Sequence, residues 1–225
     1  MKIFLVLIII LFNSNVLAHM DHYKEYNKIE MDIYRNGELI GYNLYSFIRK
    51  GDETVVANQI KFSVKLLGVT VFKVEGAGEE KYLKDQLISY KSKTLQNDKE
   101  KFVNLTFNKI KNKFDIKGSS YSGEAPIYNI VGNWWSHKIL QAESQISPIS
   151  GSIKEQVVTF IGKEKIEQYG KIFVTEHFKL RSKDMSLPKD KRLNFDIWFD
   201  KKSSMIIRVT YSRMGNWEYR LKNFE

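Results

Sequence analysis

Hydrophobic and polar residues alternate with a period of two along most of the chain. Ile29, Met31 and Ile33 interleave with Lys28, Glu30 and Asp32, and Asn36-Gly37 then supplies a two-residue hairpin turn. The next strand carries Ile40, Tyr42, Leu44 and Ile48 on one face. A longer one sets Val56, Ile60, Phe62, Val64 and Leu66 opposite Gln59, Lys61, Ser63 and Lys65. Gly68 marks a turn or bulge, and Gly76-Ala77-Gly78 predicts another turn. Further strands are legible over 81–93, 102–108 and 111–117, with the polar stretch 95–101 read as a solvated loop. The last third returns to strands at 155–161, 171–181, 193–199, 205–213 and 217–223. One segment differs: within 133–142, Trp135, Ile139 and Ala142 recur at helical spacing behind Asn133 as a cap, which predicts a short amphipathic helix. About a dozen strands and one helix, without a fixed-period repeat, predict an all-β fold: a strongly curved antiparallel sheet or open barrel.

The first residues break this pattern. Met1-Lys2 precedes ten consecutive apolar residues, Ile3 to Phe12, then Asn13-Ser14-Asn15 and the small-ended Val16-Leu17-Ala18. This layout predicts a signal peptide over 1–18 and a single exported domain over 19–225. The apolar run is too short to cross a bilayer as a helix, which takes about 20 residues. Composition narrows the picture further. With 43% hydrophobic and 13% aromatic residues, the 225-residue chain is neither disordered nor collagen-like. It contains no cysteine, which excludes a lipid-modified N-terminal Cys, disulfides and thiolate chemistry. The expected location is the periplasm, as a soluble protein without a lipid anchor.

The C-terminal strands carry a resemblance. Asp196-Ile197-Trp198-Phe199-Asp200, then Ile207-Arg208-Val209, then Gly215-Asn216-Trp217-Glu218-Tyr219-Arg220-Leu221 resemble the ending of exported bacterial domain of unknown function family 6134 and its relatives in family 3108. Asn133-Trp134-Trp135-Ser136-His137 with Leu140 is similar to the family's mid-chain Trp-Asn segment, and Gly162-Lys163-Glu164 to its Gly-x-Glu turn. The resemblance spans most of residues 23–224. It implies an exported β-rich fold, similar to the curved sheets of lipoprotein carriers in which a helix covers the concave face. It implies nothing about chemistry, because the family has no established activity.

Signatures of catalysis are missing: no Gly-x-Ser-x-Gly, His-Glu-x-x-His, phosphate-cradling loop or dinucleotide fingerprint occurs. No cofactor is expected. His19 would become the N-terminus on cleavage after Ala18, and its amine and imidazole with His22 could chelate copper; a frayed polar tail is the alternative. The rings of Trp134, Trp135, Trp198, Tyr211, Trp217 and Tyr219, with His137 and Leu140, suit either a packed core or the lining of a cavity for an apolar chain. His177 falls on a strand face with Thr175, Lys179 and Arg181, read as solvated or anion-facing.

Charge adds a last clue. The net charge is +10, only seven of the 36 basic residues are Arg, and cations concentrate in 99–117 and 189–192. Such a surface attracts anionic membrane lipids in a salt-dependent way, or serves solubility alone; nucleic acid is not expected in that compartment. The leading expectation is a non-enzymatic protein that binds or carries an apolar or amphipathic envelope molecule, a lipid or lipoprotein-like ligand, on the concave face. The alternatives are an envelope interaction protein with a filled core and a basic surface, and an enzyme whose site is invisible in sequence.

Overall fold

Alternation makes strands when only one face of each can be covered by other parts of the chain. In the computed structural model, which describes residues 19–225, a 3-10 turn at His19–Tyr23 precedes fifteen strands. These are β1 (Lys28–Arg35), β2 (Glu38–Lys50), β3 (Glu53–Leu66), β4 (Val69–Leu83), β5 (Gln86–Gln96), β6 (Lys99–Asn108), β7 (Lys113–Gly118) and β8 (Ser122–Pro126). There follow β9 (Ile130–Val131), β10 (Ser144–Ile146), β11 (Ile153–Gln168), β12 (Lys171–Ser182), β13 (Asn194–Asp200), β14 (Met205–Ser212) and β15 (Asn216–Phe224). All join one sheet in the order β8-β7-β6-β5-β4-β3-β2-β1-β15-β14-β13-β12-β11-β10-β9. Every neighbouring pair is antiparallel except β9 and β10.

The connectivity forces curvature. The edge strands β8 and β9 are joined by residues 127–129 alone. A flat sheet of fifteen strands would be roughly 65 Å wide at about 4.8 Å per strand, whereas the four Cα steps from Pro126 to Ile130 reach at most ~15 Å. The sheet therefore curls until its edges lie close together. β8 and β9 share no ladder, so the barrel stays open, as the alternation predicts. Bulges at Glu30/Met31, Lys81/Tyr82 and Phe160/Gly162 interrupt the ladders and help strands bend.

Antiparallel order sorts the connections onto two rims. The upper rim holds the turns at 36–37, 67–68, 97–98, 119–121, 147–152, 183–193 and 213–215; the lower rim holds those at 51–52, 84–85, 109–112, 169–170 and 201–204. Parallel β9 and β10 both point to the upper rim, so the chain between them, 132–143, must reverse, and it descends far enough for Lys138 Nζ to reach Asp85 on the lower rim at 3.3 Å. The 147–152 turn then closes the upper side. Tyr90 Oη and Ser92 Oγ on β5 donate to Pro148 O at 2.9 and 2.6 Å, and Ser120 N donates to Ser150 O at 3.0 Å. A Cβ on Gly118 would stand 2.5 Å from the Ser150 carbonyl oxygen, so this closure needs glycine there.

Four local expectations are corrected. The segment 133–142 is not an α-helix: it bends at Trp134 and Trp135, is extended at Ser136, and only His137–Leu140 winds as a 3-10 turn. Gly76-Ala77-Gly78 is not a turn but the middle of β4. There an added Cβ would meet Thr94 Oγ1 at 2.8 Å from Gly76 and Tyr90 Oη at 3.0 Å from Gly78, so these glycines mark close approach rather than reversal. The stretch 95–101 is mostly strand, reversing tightly at Asn97-Asp98. Gly162 likewise follows a bulge inside β11 instead of making a turn. The segment read as a signal peptide lies outside the described residues.

Candidate functional site

The interior of the barrel is divided by the returning segment 132–143 into a filled lower part and an open upper part. At its centre Trp135 is 1% exposed and Glu80, on the inner face of β4, is 3% exposed. The Glu80 carboxylate accepts hydrogen bonds from Trp135 Nε1 at 2.8 Å, Asn133 Nδ2 at 2.7 Å and Tyr82 Oη at 2.6 Å. The indole ring meets Tyr23, Phe47 and Tyr82 edge-on at centroid distances of 5.1, 5.4 and 6.0 Å. Burial raises the Glu80 carboxyl above the usual carboxylate range, against the pull of its three donors. Among the described residues no buried side-chain nitrogen or oxygen lacks a partner, so this lower half is a completed plug.

The plug is pinned along its length. Tyr45 Oη on β2 accepts the Trp134 backbone N–H at 3.2 Å and Asn43 Nδ2 at 2.8 Å. Ser136 caps the 3-10 turn through Lys138 N, and Gln156 Nε2 ties down its end by donating to Ile139 O and Ala142 O at 2.8 and 2.9 Å. His137 reaches the lower rim, where its Nδ1 lies 2.7 Å from Tyr23 Oη and its ring 5.2 Å from that of His22 and 5.3 Å from that of Phe199. Burial, aided by the neighbouring charge of His22, lowers the His137 imidazole to about 4.

That shift carries a pH dependence with a defined sign. The unfolded chain binds a proton at His137 near pH 6.5 and the folded one resists it until about 4, so stability is full above 6.5 and falls as the pH drops through that window. Urea melts of wild type and His137→Gln, which cannot titrate but keeps a polar contact to Tyr23, are expected to converge by roughly 1–2 kcal/mol between pH 7.5 and 4, after allowance for partial solvent screening. Parallel pH dependences in the two proteins would refute the shift.

Above the plug lies a cavity of about 240 Å³. Trp134, Phe195, Tyr211 and Tyr219 wall it with rings, Ile60 and Gly76 add apolar surface, and Asn43 and Asn58 make a polar end. The rings interlock: Trp134 lies 5.1 Å from Phe195 and 6.1 Å from Tyr219, and Phe195 lies 5.3 Å from Tyr211. Burial lifts both phenols, that of Tyr219 to about 12, so they stay neutral hydrogen-bonding groups. Through Phe195, Tyr211 and Arg213 the cavity meets a wider cleft of about 1,100 Å³ on the upper rim. That cleft is lined by eight Lys and Arg side chains and a single carboxylate, Asp190.

The predicted residues therefore separate. Trp134, Tyr211 and Tyr219 line the cavity, while Trp135, His137 and Leu140 belong to the plug. Trp217 backs the wall, stacked 5.7 Å from Tyr211. Trp198 lies on the outer face, because strand parity on β13 turns it away from Phe195, Ile197 and Phe199. There it stacks on His177 at 4.5 Å and donates to Glu164, while His177 bridges Glu164 and Asp196 at 2.6 and 3.0 Å. Lys179 pairs with Asp196 at 2.7 Å, so His177 and Lys179 belong to a hydrogen-bonded network around carboxylates, while Thr175 of the same row is fully buried and not solvated. The side chain of His19 lies outside the described residues, and among those described no group of three or more His, Asp or Glu is placed to hold a metal ion.

Sequence reading missed Glu80, Asn43, Asn58, Phe195 and Arg213. Parity on β13 could have found Phe195, since it shares a face with the core residues Ile197 and Phe199. Nothing local signals Glu80, whose partners Asn133 and Trp135 stand 53 and 55 residues away.

Comparisons with known proteins fit this architecture. The chain is similar to a solved β-barrel-like protein of domain of unknown function DUF1849 from Brucella abortus, at 7% identity and TM-score 0.60, over 88% of this chain and 96% of that one. At that identity the likeness shows the fold alone. A protein with a YmcC-like fold from Bacteroides fragilis overlaps 88% of this chain and 94% of its own at 10% identity and TM-score 0.37, too low to carry an argument. No curated protein matches. A model of the family described as "Domain of unknown function (DUF6134)" matches residues 31–222. Since that match takes in every strand from β2 to β14, with the whole plug and cavity, the chain belongs to the DUF6134 family.

Proposed function

We propose that this protein is a non-enzymatic binding protein of the periplasm, which holds the apolar end of an amphipathic envelope molecule in the cavity above the plug. The observation that carries this reading is the continuity of a ring-lined cavity with a strongly basic cleft. An apolar chain with an anionic head matches that sequence of environments. The rings supply dispersion contacts and exclude water, and Asn43 and Asn58 can hydrogen-bond a polar group carried inside.

The volume limits the ligand. A pocket for a whole small molecule has about 300–1,000 Å³, so about 240 Å³ admits only part of a chain. The completed plug and the small cavity favour a second reading, an envelope interaction protein with a filled core. A displacement titration with dansyl-undecanoic acid separates the two. Wild type is expected to bind the probe, and Ile60→Trp, which fills the cavity, to lose at least tenfold in affinity while keeping its melting temperature within a few degrees. Equal binding by the two proteins, or none by either, would leave the filled-core reading standing.

A further inference from the structure

The upper rim carries an anomaly that the cavity does not explain. Two of its hairpin turns place large apolar residues in left-handed backbone: Leu67 at φ 50°, followed by Gly68, and Met214 at φ 52°, followed by Gly215. Left-handed turn positions of this kind favour Asn, Asp or Gly. The chain follows that preference elsewhere on the same rim, at Asn36 and Asn97, both at φ 51°. Leu67 and Met214 pack against nothing that compensates, being 97% and 89% exposed. Leu66, Val69 and Val71 beside Leu67 are more than half exposed as well. Strand direction puts these tips on the rim where the basic cleft opens, between the 119–121, 147–152, 183–193 and 213–215 connections.

The cleft is charged in an unbalanced way. Of its eight cations only Lys179 has a carboxylate within ion-pair distance among the described residues, leaving Lys154, Arg181, Lys189, Lys191 and Arg213 among those without one. Ser120, Ser147, Ser150 and Ser152 also line it and bear hydroxyls. Guanidinium, ammonium and hydroxyl groups together suit phosphate oxygens. The surplus exceeds what a single carboxylate would neutralise.

We infer that the upper rim is a membrane-docking face, on which Leu67 and Met214 enter the apolar boundary of an anionic phospholipid bilayer and the basic cleft receives the phosphate headgroups. Apolar tips and cationic surface act together, because neither a few buried side chains nor a few surface charges alone holds a protein on a bilayer. The inference goes beyond ligand binding in the cavity and does not require it.

Vesicle co-sedimentation of the purified protein tests it, with phosphatidylcholine vesicles and vesicles in which a third of the lipid is phosphatidylglycerol. Wild type is expected to bind the anionic vesicles at least tenfold more tightly, with the preference gone in 0.5 M salt. Lys154→Ser/Lys189→Ser/Lys191→Ser is expected to reduce anionic binding to the phosphatidylcholine level. Leu67→Asn/Met214→Asn installs residues that the turns prefer, so it is expected to melt no lower than wild type and yet to bind anionic vesicles at least fivefold more weakly. Ile60→Trp is expected to bind vesicles as wild type does, whatever it does to the fatty-acid probe. Unchanged binding in the Asn double variant, equal binding to the two vesicle types at low salt, or full competition by millimolar glycerol phosphate would overturn the inference, the last by showing that the cleft takes free phosphate esters.

Discussion

Replacing Trp135 by alanine is expected to lower unfolding stability by at least 3–5 kcal/mol, the usual cost of emptying a large aromatic site in a core. The ring is 1% exposed and bears on three other aromatic residues from the 19–23 turn, β2 and β4. The loss should reach the top of that range or beyond, because the same change removes one of the three donors from buried Glu80. Trp135→Phe isolates that second effect: it keeps most of the packing, and the missing N–H is expected to cost about 1–3 kcal/mol. Denaturant melts of the three proteins decide the matter. If Trp135→Ala cost less than about 1 kcal/mol, the segment 132–143 would not be part of the core.

The second large effect is expected at Glu80, where the two obvious substitutions should behave oppositely. Glu80→Ala leaves Trp135 Nε1, Asn133 Nδ2 and Tyr82 Oη without their acceptor. At about 1–3 kcal/mol for each orphaned group, the expected loss is roughly 3–9 kcal/mol in acid and becomes smaller as the pH rises, because the wild-type Glu80 contribution itself declines there. Glu80→Gln keeps one oxygen for the two nitrogen donors and lets its amide donate to Tyr82 Oη. Because burial raises the carboxyl, the folded state of wild type retains a proton that the unfolded state releases above about pH 4.5. The Glu80 contribution is therefore complete below that pH and declines as the pH rises. Glutamine does not titrate, so the variant should match wild type in acid and gain on it toward alkaline pH. Urea midpoints across pH 5–9 test this, and a glutamine variant as damaged as the alanine one would show that the site needs a charged carboxylate.

These residues also show why the fold was legible and the site only in part. Strand period is local: Ile29, Met31 and Ile33 announce β1 in six residues, and Asn36-Gly37 announces its turn by backbone chemistry. Export of the same logic to 133–142 failed, because the spacing of Trp135, Ile139 and Ala142 imitates a helix. In the fold Trp135 is held by Glu80 and Ile139 by packing and by Gln156, in a chain that bends at Trp134 and Trp135 before its single 3-10 turn. Tertiary anchoring overrode local period. Glycines in β4 misled for a related reason, since close approach by Tyr90 and Thr94 demands the same residue as a turn. Aromatic type pointed to Trp134, Tyr211 and Tyr219 at the cavity but could not by itself exclude Trp198, which only strand parity places outside. The basic cleft was foreshadowed by the 189–192 cluster. Its convergence with Lys154, Arg181 and Arg213 depends on how distant connections meet at one rim.

Entry of an apolar chain into the space above the plug is the claim on which the proposed binding role depends, and intermolecular NOE spectroscopy with decyl phosphate tests it most directly. Methylene protons of the ligand are expected to show contacts to the rings of Trp134 and Tyr219, with Arg213 shifted by the phosphate. Contacts confined to exposed Leu67 and Val69, with the Trp134 and Tyr219 resonances unmoved at saturation, would contradict it.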